Sequence, residues 1–309
     1  GFAKGNADEL FRIRNQISDF DPEVVLVLSA DHVYRFDYAD ALETHRRAEA
    51  ECTIVTTEVP MSEASDHAVV AYDESGKVTG FAYKPDDPES GTIATEMFLY
   101  DPAVLVRVLE DLHRELSGES DPGDTGLGDF GEHLVPRLVE RGRTVAHPFD
   151  GYWRDLGQPH HYLQAHQDVL TDDVGVFADQ HWPILTRQPQ RVAGRVLEGG
   201  RVSDSMISPG TRVAGTVHRS VLGPGVVVEA GAEVHNSVVF ADSVVRAGAR
   251  VDWSVIDTGV VIEAEATVGE PDADGTGDSD AVTLVGRGSV VGRGVRLGAG
   301  SRLEPGTTA

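Results

Sequence analysis

The chain has 309 residues, 40% of them hydrophobic and 25% charged, a composition of folded domains with length enough for two cores. Its 51 acidic residues against 26 basic ones give a formal charge of −25, so it lacks the clustered cations that nucleic acid or an anionic membrane would need, and neither is expected as a partner. One cysteine, Cys52, excludes an intramolecular disulfide, and with neither a signal-like start nor an apolar run of about 18 residues the chain reads as cytoplasmic.

The chain opens at Gly1 rather than a methionine and soon enters a helical pattern, which reads as a fragment of a longer polypeptide. Leu10, Phe11, Ile13 and Ile17 stand at helical spacing between Asp8 and Asp19, and Asp19 to Pro22 ends that helix. Val24 to Leu28 is a short aliphatic run closed by Ser29, Ala30 and Asp31, the pattern of a strand buried on both faces of a parallel sheet, with Asp31 at its carboxyl end. A helix from Tyr38 to Ala50, a strand from Cys52 to Val59 and a hairpin from Ala68 to Tyr83, turning at Glu74, Ser75 and Gly76, follow. Next come a strand at Ile93 to Tyr100, a helix at Pro102 to Leu116, an acidic glycine-rich loop at Gly118 to Gly128 and a helix at Phe130 to Arg141. The segment Trp153 to Leu170 closes an α/β domain over residues 1–172, with 173–203 read as a linker.

From Asp204 to the end, over 204–309, aliphatic residues recur every six positions with small or turn residues between them. Val285, Val291, Leu297 and Leu303 form one register, and Val228, Val234 and Phe240 another. Such hexapeptides predict a left-handed parallel β-helix, in which each six-residue side turns one aliphatic side chain inward and stacked coils bury a continuous core. A β-sandwich would instead alternate every two residues. The acidic insertion Glu270 to Asp280 reads as a loop projecting from one coil.

Ligands of an open α/β sheet gather at the carboxyl ends of its strands, which marks Asp31, although an aspartate there also serves as a helix N-cap. A second carboxylate, Asp155, lies in the glycine-bounded stretch Gly151-Tyr152-Trp153-Arg154-Asp155-Leu156-Gly157. Two aspartates from distant segments can hold Mg²⁺ against substrate phosphates, and the alternative for Asp155 is an ion pair with Arg154. Lysine is scarce, with only Lys4, Lys77 and Lys84, so Lys84 stands out, its alternative being a solvated strand-end charge.

Ser29-Ala30-Asp31-His32-Val33-Tyr34 with Asp37-Tyr38 resembles the S-G-D-H-x-Y…D-Y stretch of ADP-glucose pyrophosphorylases, also called glucose-1-phosphate adenylyltransferases. In the same order, Gly5-Asn6-Ala7-Asp8 is similar to that family's G-T-A-D, Tyr83-Lys84-Pro85 to its E-K-P, Asp129-Phe130-Gly131 with Pro136 to its D-F-G…P, and Tyr152 to Gly157 to its Y-W-R-D-x-G. The resemblance spans essentially the whole chain. It implies a doubly wound, mostly parallel nucleotidyltransferase sheet followed by the β-helix, and transfer of an adenylyl group from ATP to glucose 1-phosphate in α-glucan synthesis. By it, Asp31 and Asp155 bind Mg²⁺, Lys84 grips the sugar phosphate and Gly5 lies beside the adenine. Asp8, Thr95 and Glu96 join Gly5 and Lys84 as substrate-binding residues, and a homotetramer is the expected assembly.

Three departures accompany the match. The family's glycine-rich triphosphate loop would lie before Gly1, so this chain alone is expected to be poorly soluble and not to release pyrophosphate. Tyr83 stands where the family has glutamate, and Glu96 where it has a glycine beside the sugar, which makes Glu96 a relocated acceptor for sugar hydroxyls or the mark of another sugar. Ala30 and Asn6 replace a glycine and a threonine, leaving the nucleotide open. Other readings are a non-catalytic regulatory subunit, or an acyltransferase built on the β-helix with His218 or His235 as base.

Overall fold

The computed structural model describes residues 3–117, 125–171, 174–176, 181–187, 189–271 and 279–309, so most of the acidic loop (118–124) and the middle of the 270–280 insertion (272–278) lie outside the described residues. Two compact units divide the chain: residues 1–30 with 35–153, and residues 31–34 with 154–309. The first unit ends at residue 153, within the 1–172 span expected for the α/β domain. Among the described residues no helix is long and apolar enough to cross a membrane.

In the first unit, α1 (Asn6–Phe20) turns Leu10, Phe11 and Ile17 into the core, as their spacing requires. The sheet is built from β1 (Val25–Leu28), β3 (Cys52–Glu58), β4 (Ala68–Tyr72), β5 (Val78–Tyr83), β6 (Thr92–Tyr100) and β7 (Thr144–Pro148), while β2 (His32–Tyr34) lies apart from it. Its order is β5-β4-β6-β3-β7, with β1 also on β6. Strand directions are mixed rather than mostly parallel: β3 and β7 run parallel, but β6 is antiparallel to β1, β3 and β4. The β4–β5 hairpin imposes part of this, because a turn as tight as Asp73 to Lys77 can join only antiparallel neighbours. The expectation that the first strand is buried on both faces also fails. β1 has β6 on one side, and Leu26 and Leu28 are each 38% exposed.

Helices cover the sheet. Asp37 caps α2 (Tyr38–Arg47) by accepting the Ala39 N–H, and Asp101 caps α3 (Pro102–Leu116) by accepting that of Val104, with Pro102 in the first turn where a missing N–H is harmless. On α3, Leu105, Val108, Leu109 and Leu112 are buried with Cys52, Ile54, Phe98 and Tyr100 of the sheet, each large side chain contributing about 1.5–3 kcal/mol of burial. The helix read over Phe130 to Arg141 begins as a π-turn, Phe130–Leu134, and tightens into α4 (Val135–Glu140). Pro136 supplies the reason, since it has no N–H and its ring crowds the carbonyl one turn earlier.

In the second unit β2 pairs with β8 (Trp153–Asp155), and α5 (Pro159–Leu170) leads on toward the β-helix. Three parallel six-stranded sheets make the faces of this left-handed β-helix. The first runs from Arg201–Ser203 to Arg296–Leu297, the second from Met206–Ile207 to Arg302–Leu303, and the third from Arg195–Val196 to Val290–Val291. The expected start at Asp204 is thus too late, for Arg195–Val196 and Arg201–Ser203 already pair in register with the next coil. Charged residues at those positions hide the first coil from a search for aliphatic repeats.

Coil geometry also corrects the repeat. Through the middle coils successive strands on one face are 17 residues apart, as in Glu233↔Arg250↔Thr267, so one side of the triangle there has five residues rather than six. The fully buried side chains Val217, Leu222, Val228, Val234, Val239, Val245, Val251 and Ile256 step by five, six and six. At each short side one residue adopts a left-handed conformation: Asp204, Arg219, Asn236 and Trp253 have φ of 47°, 46°, 45° and 43°. Phe240, which a strict sixfold step would place inside, instead faces α5 and stacks on Tyr162 with centroids 6.1 Å apart. The insertion stands out as a step of 29 residues, Thr267↔Arg296.

Candidate functional site

Asp31 follows the sheet strand β1 in sequence yet belongs to the second unit, where the Leu156 N–H donates to its carbonyl at 2.9 Å. It is not a helix N-cap, since Asp37 has that role for α2. The β2–β8 pairing brings Asp31, His32 and Asp155 together, with one ligand atom of each within 4.8 Å of the others. His32 Nε2 lies 3.7 Å from Asp31 Oδ1 and 3.9 Å from Asp155 Oδ1. Asp155 Oδ1 accepts the Gly157 N–H at 2.7 Å, which fixes the carboxylate, and Arg154 pairs with Asp168 at 3.0 Å. Two carboxylate oxygens fit a hard divalent cation that keeps part of its water shell, and the imidazole adds a softer donor. The group could therefore hold a divalent metal. His32 entered the sequence argument only as part of a motif, because one histidine beside an aspartate carries no spacing signal.

In the first unit the geometry centres on Glu96. Between Ile54↔Phe98 and Thr56↔Ala94, β3 advances two residues while β6 advances four, so β6 bulges around Thr95 and Glu96. Glu96 has φ of 55°, a conformation that an ordinary residue keeps only when its surroundings impose it. Here β1 leaves β6 beyond Met97, β4 meets it at Ile93, and the Ser29 N–H donates to the Glu96 carbonyl. The gap opens into a cavity of about 580 Å³ lined by Asn6, Glu9, Arg12, Leu28, Ser29 and Glu96 among others. A second, of about 20 Å³, is lined by Asn6, Tyr83, Glu96, Asp129, Phe130 and Gly131 among others. Hydrogen bonds tie this wall together: the Asn6 N–H donates to Asp129 Oδ1 at 3.3 Å, the Phe130 N–H to Asn6 Oδ1 at 2.6 Å and the Tyr83 hydroxyl to Asp129 Oδ2 at 3.3 Å. Burial first, and then the neighbouring Asp129, Glu96 and Glu132 carboxylates, push the Tyr83 phenol up to about 12, so it remains a donor.

Other residues singled out from the sequence have different surroundings. Thr95 is fully buried and donates its hydroxyl to the Val55 carbonyl at 2.9 Å, lining neither cavity. Asp8 is buried beneath Arg12, whose guanidinium grips it twice, at 2.9 and 3.0 Å, while Arg12 itself lines the larger cavity. Burial pushes the Asp8 carboxyl up, but the Arg12, Lys4 and Thr125 hydrogen bonds outweigh it and hold the group below the ordinary carboxylate range. Gly5 has φ of 136°, and a Cβ there would lie 2.3 Å from the Gly128 carbonyl oxygen, so the close approach it permits is to its own chain. Lys84 is exposed at the end of β5 with φ of 45°, its Nζ 5.4 Å from the Tyr83 ring centroid. Asn6 and Asp129 were quoted in motifs without a role, and only the fold shows that they share a wall.

His218 and His235 sit on one face of the β-helix in paired register, ring centroids 6.2 Å apart, with Ser203 Oγ 2.9 Å from His218 Nδ1. Neither lies among the residues described above.

Residues 2–172 match the nucleotidyl transferase family, and residues 189–291 match the GlmU-like C-terminal hexapeptide family. Among curated proteins, the chain is similar to the glucose-1-phosphate adenylyltransferase of Clostridium perfringens (strain SM101 / Type A), at 33% identity over 74% of this chain and 58% of the relative. The enzymes of that name from Acetivibrio thermocellus and Bacillus mycoides are 32% and 33% identical, each over 74% of this chain, and over 53% and 59% of their own lengths. The chain thus spans a little over half the length of these relatives.

Proposed function

The chain belongs to the nucleotidyl transferase family, and from that premise we propose that the protein transfers an adenylyl group from ATP to glucose 1-phosphate, giving ADP-glucose and pyrophosphate. A phosphate oxygen of the sugar 1-phosphate attacks the α-phosphorus of ATP, the bond from that phosphorus to the bridging oxygen breaks, and pyrophosphate carries the electron pair away. The observation that carries this reading is the convergence of Asp31 and Asp155, 124 positions apart in sequence, within one potential ligand group.

Asp31 and Asp155 are the proposed holders of Mg²⁺, which when bound supplies charge neutralisation on the phosphate oxygens. Asp155 is preset by the Gly157 N–H. Lys84 offers an exposed ammonium to the sugar phosphate. Glu96 offers acceptor oxygens to sugar hydroxyls, and among the described residues its carboxylate has neither a hydrogen bond nor an ion pair, which supports that role. With no covalent intermediate required, positioning and electrostatics supply the rate. A cytoplasmic homotetramer is the assembly this reading favours. A second reading, transfer to another sugar phosphate, is favoured by Tyr83 and Glu96 on the cavity wall.

The test is pyrophosphate release by the polypeptide as its gene encodes it, with ATP, Mg²⁺ and a panel of sugar 1-phosphates. Turnover with glucose 1-phosphate, lowered at least 100-fold by Asp31→Asn and by Asp155→Asn, is the expected result. A folded protein that is silent with every sugar would overturn it in favour of a non-catalytic subunit, and turnover confined to another sugar would select the second reading.

A further inference from the structure

Tyr83 ends β5, half-buried, with its ring against Gly131. The fit is close: a Cβ on Gly131 would lie 2.0 Å from Tyr83 Cδ2, so the ring occupies space that any other residue at 131 would need. Asp129 holds the far end of the ring through its hydroxyl. What remains between Tyr83, Gly131, Asn6 and Glu96 is about 20 Å³, room for one water, whereas the cavity sharing Asn6, Glu96 and Phe130 with it offers about 580 Å³. The Tyr83 ring therefore closes down the space it shares with Glu96, while the roomier cavity that Glu96 also lines does not include it.

We propose that Tyr83 is a specificity wedge, which admits a sugar 1-phosphate bearing only hydroxyls on its ring and turns away one carrying an acetamido group. The inference rests on the sugar-phosphate reading of the Glu96 cavity. The wedge acts by volume. An acetamido substituent adds three non-hydrogen atoms beyond a hydroxyl, and none of them fits where the ring packs on Gly131. Pinning the ring also consumes the phenol's one proton on Asp129, which leaves the Glu96 carboxylate open to donors from the sugar.

Calorimetric titration of the protein with glucose 1-phosphate and with N-acetylglucosamine 1-phosphate tests the wedge. The wild type is expected to favour the former at least tenfold. Tyr83→Phe, which keeps the ring, should retain that ratio, and Tyr83→Ala, which removes it, should bring the two affinities within about threefold of each other. Should the alanine protein fail to fold, Tyr83→Leu shortens the wedge while keeping an apolar strand residue, and the same convergence is expected. A wild-type protein that binds glucose 1-phosphate but does not discriminate, or a folded Ala or Leu variant that discriminates unchanged, overturns the wedge and leaves the adenylyltransferase reading intact. A wild-type protein that takes up neither sugar overturns both.

Discussion

Asp8 shows how a motif residue can act at one remove. Its side chain is buried and accepts from the Arg12 guanidinium, the Lys4 N–H and Thr125 around the start of α1. Because its carboxyl sits below the ordinary range in the folded state, the stability it contributes is present above an unfolded carboxylate's titration and disappears as pH falls through the depressed folded value. Asp8→Asn should cost about 2–3 kcal/mol at neutral pH, a cost that shrinks as pH falls through that folded value, and urea unfolding followed from pH 7 downward would reveal the convergence. Asp31 and Asp155 stand out in the sequence because each sits in a distinctive local setting, and the β2–β8 pairing brings the two together. The side-chain direction of Thr95 was not, since the β6 bulge shifts the alternation of faces and no residue in Ile93 to Tyr100 announces it.

At the level of the element, the β-helix was legible from its aliphatic steps, but its five-residue side was not. The compensating feature is a ladder of buried serines directly after the left-handed residues. Ser220, Ser237 and Ser254 each donate to the carbonyl two residues back, and the N–H of each donates to the hydroxyl oxygen of the serine one coil earlier, at 3.0 to 3.1 Å. The short side therefore trades a residue of length for a column of hydroxyls that satisfies its turned backbone. Replacing Ser237 by Ala leaves the Ser254 N–H buried without that acceptor, and should cost about 1–3 kcal/mol. Native-state hydrogen exchange should place the new weakness at the coils flanking residue 237, because a solenoid transmits strain to its nearest neighbours.

Across the whole molecule, charge sets the terms. The chain carries many surface ion pairs such as Arg46–Glu23 and Arg191–Asp242, but solvent screens them and each contributes little. Against them stand 25 uncompensated negative charges. Self-repulsion outweighs the pairs, so the melting temperature should rise by several degrees between about 20 mM and 0.5 M NaCl, where the screening length falls well below the spacing of neighbouring carboxylates. Scanning calorimetry at the two salt concentrations reads this directly, and a fall would mean that the ion pairs dominate.

The excursion of residues 31–34 out of the first unit and into the second bears on how the protein comes into being. As the chain is synthesised, Asp31 emerges early and Asp155 only after the strands and helices between them. Closing a loop of that length costs entropy that local contacts do not repay, so the pair cannot meet until the intervening unit has condensed and presented both ends. The Asp31–Asp155 group is then assembled late, and a nascent or nicked chain that has folded only its first strands still lacks it.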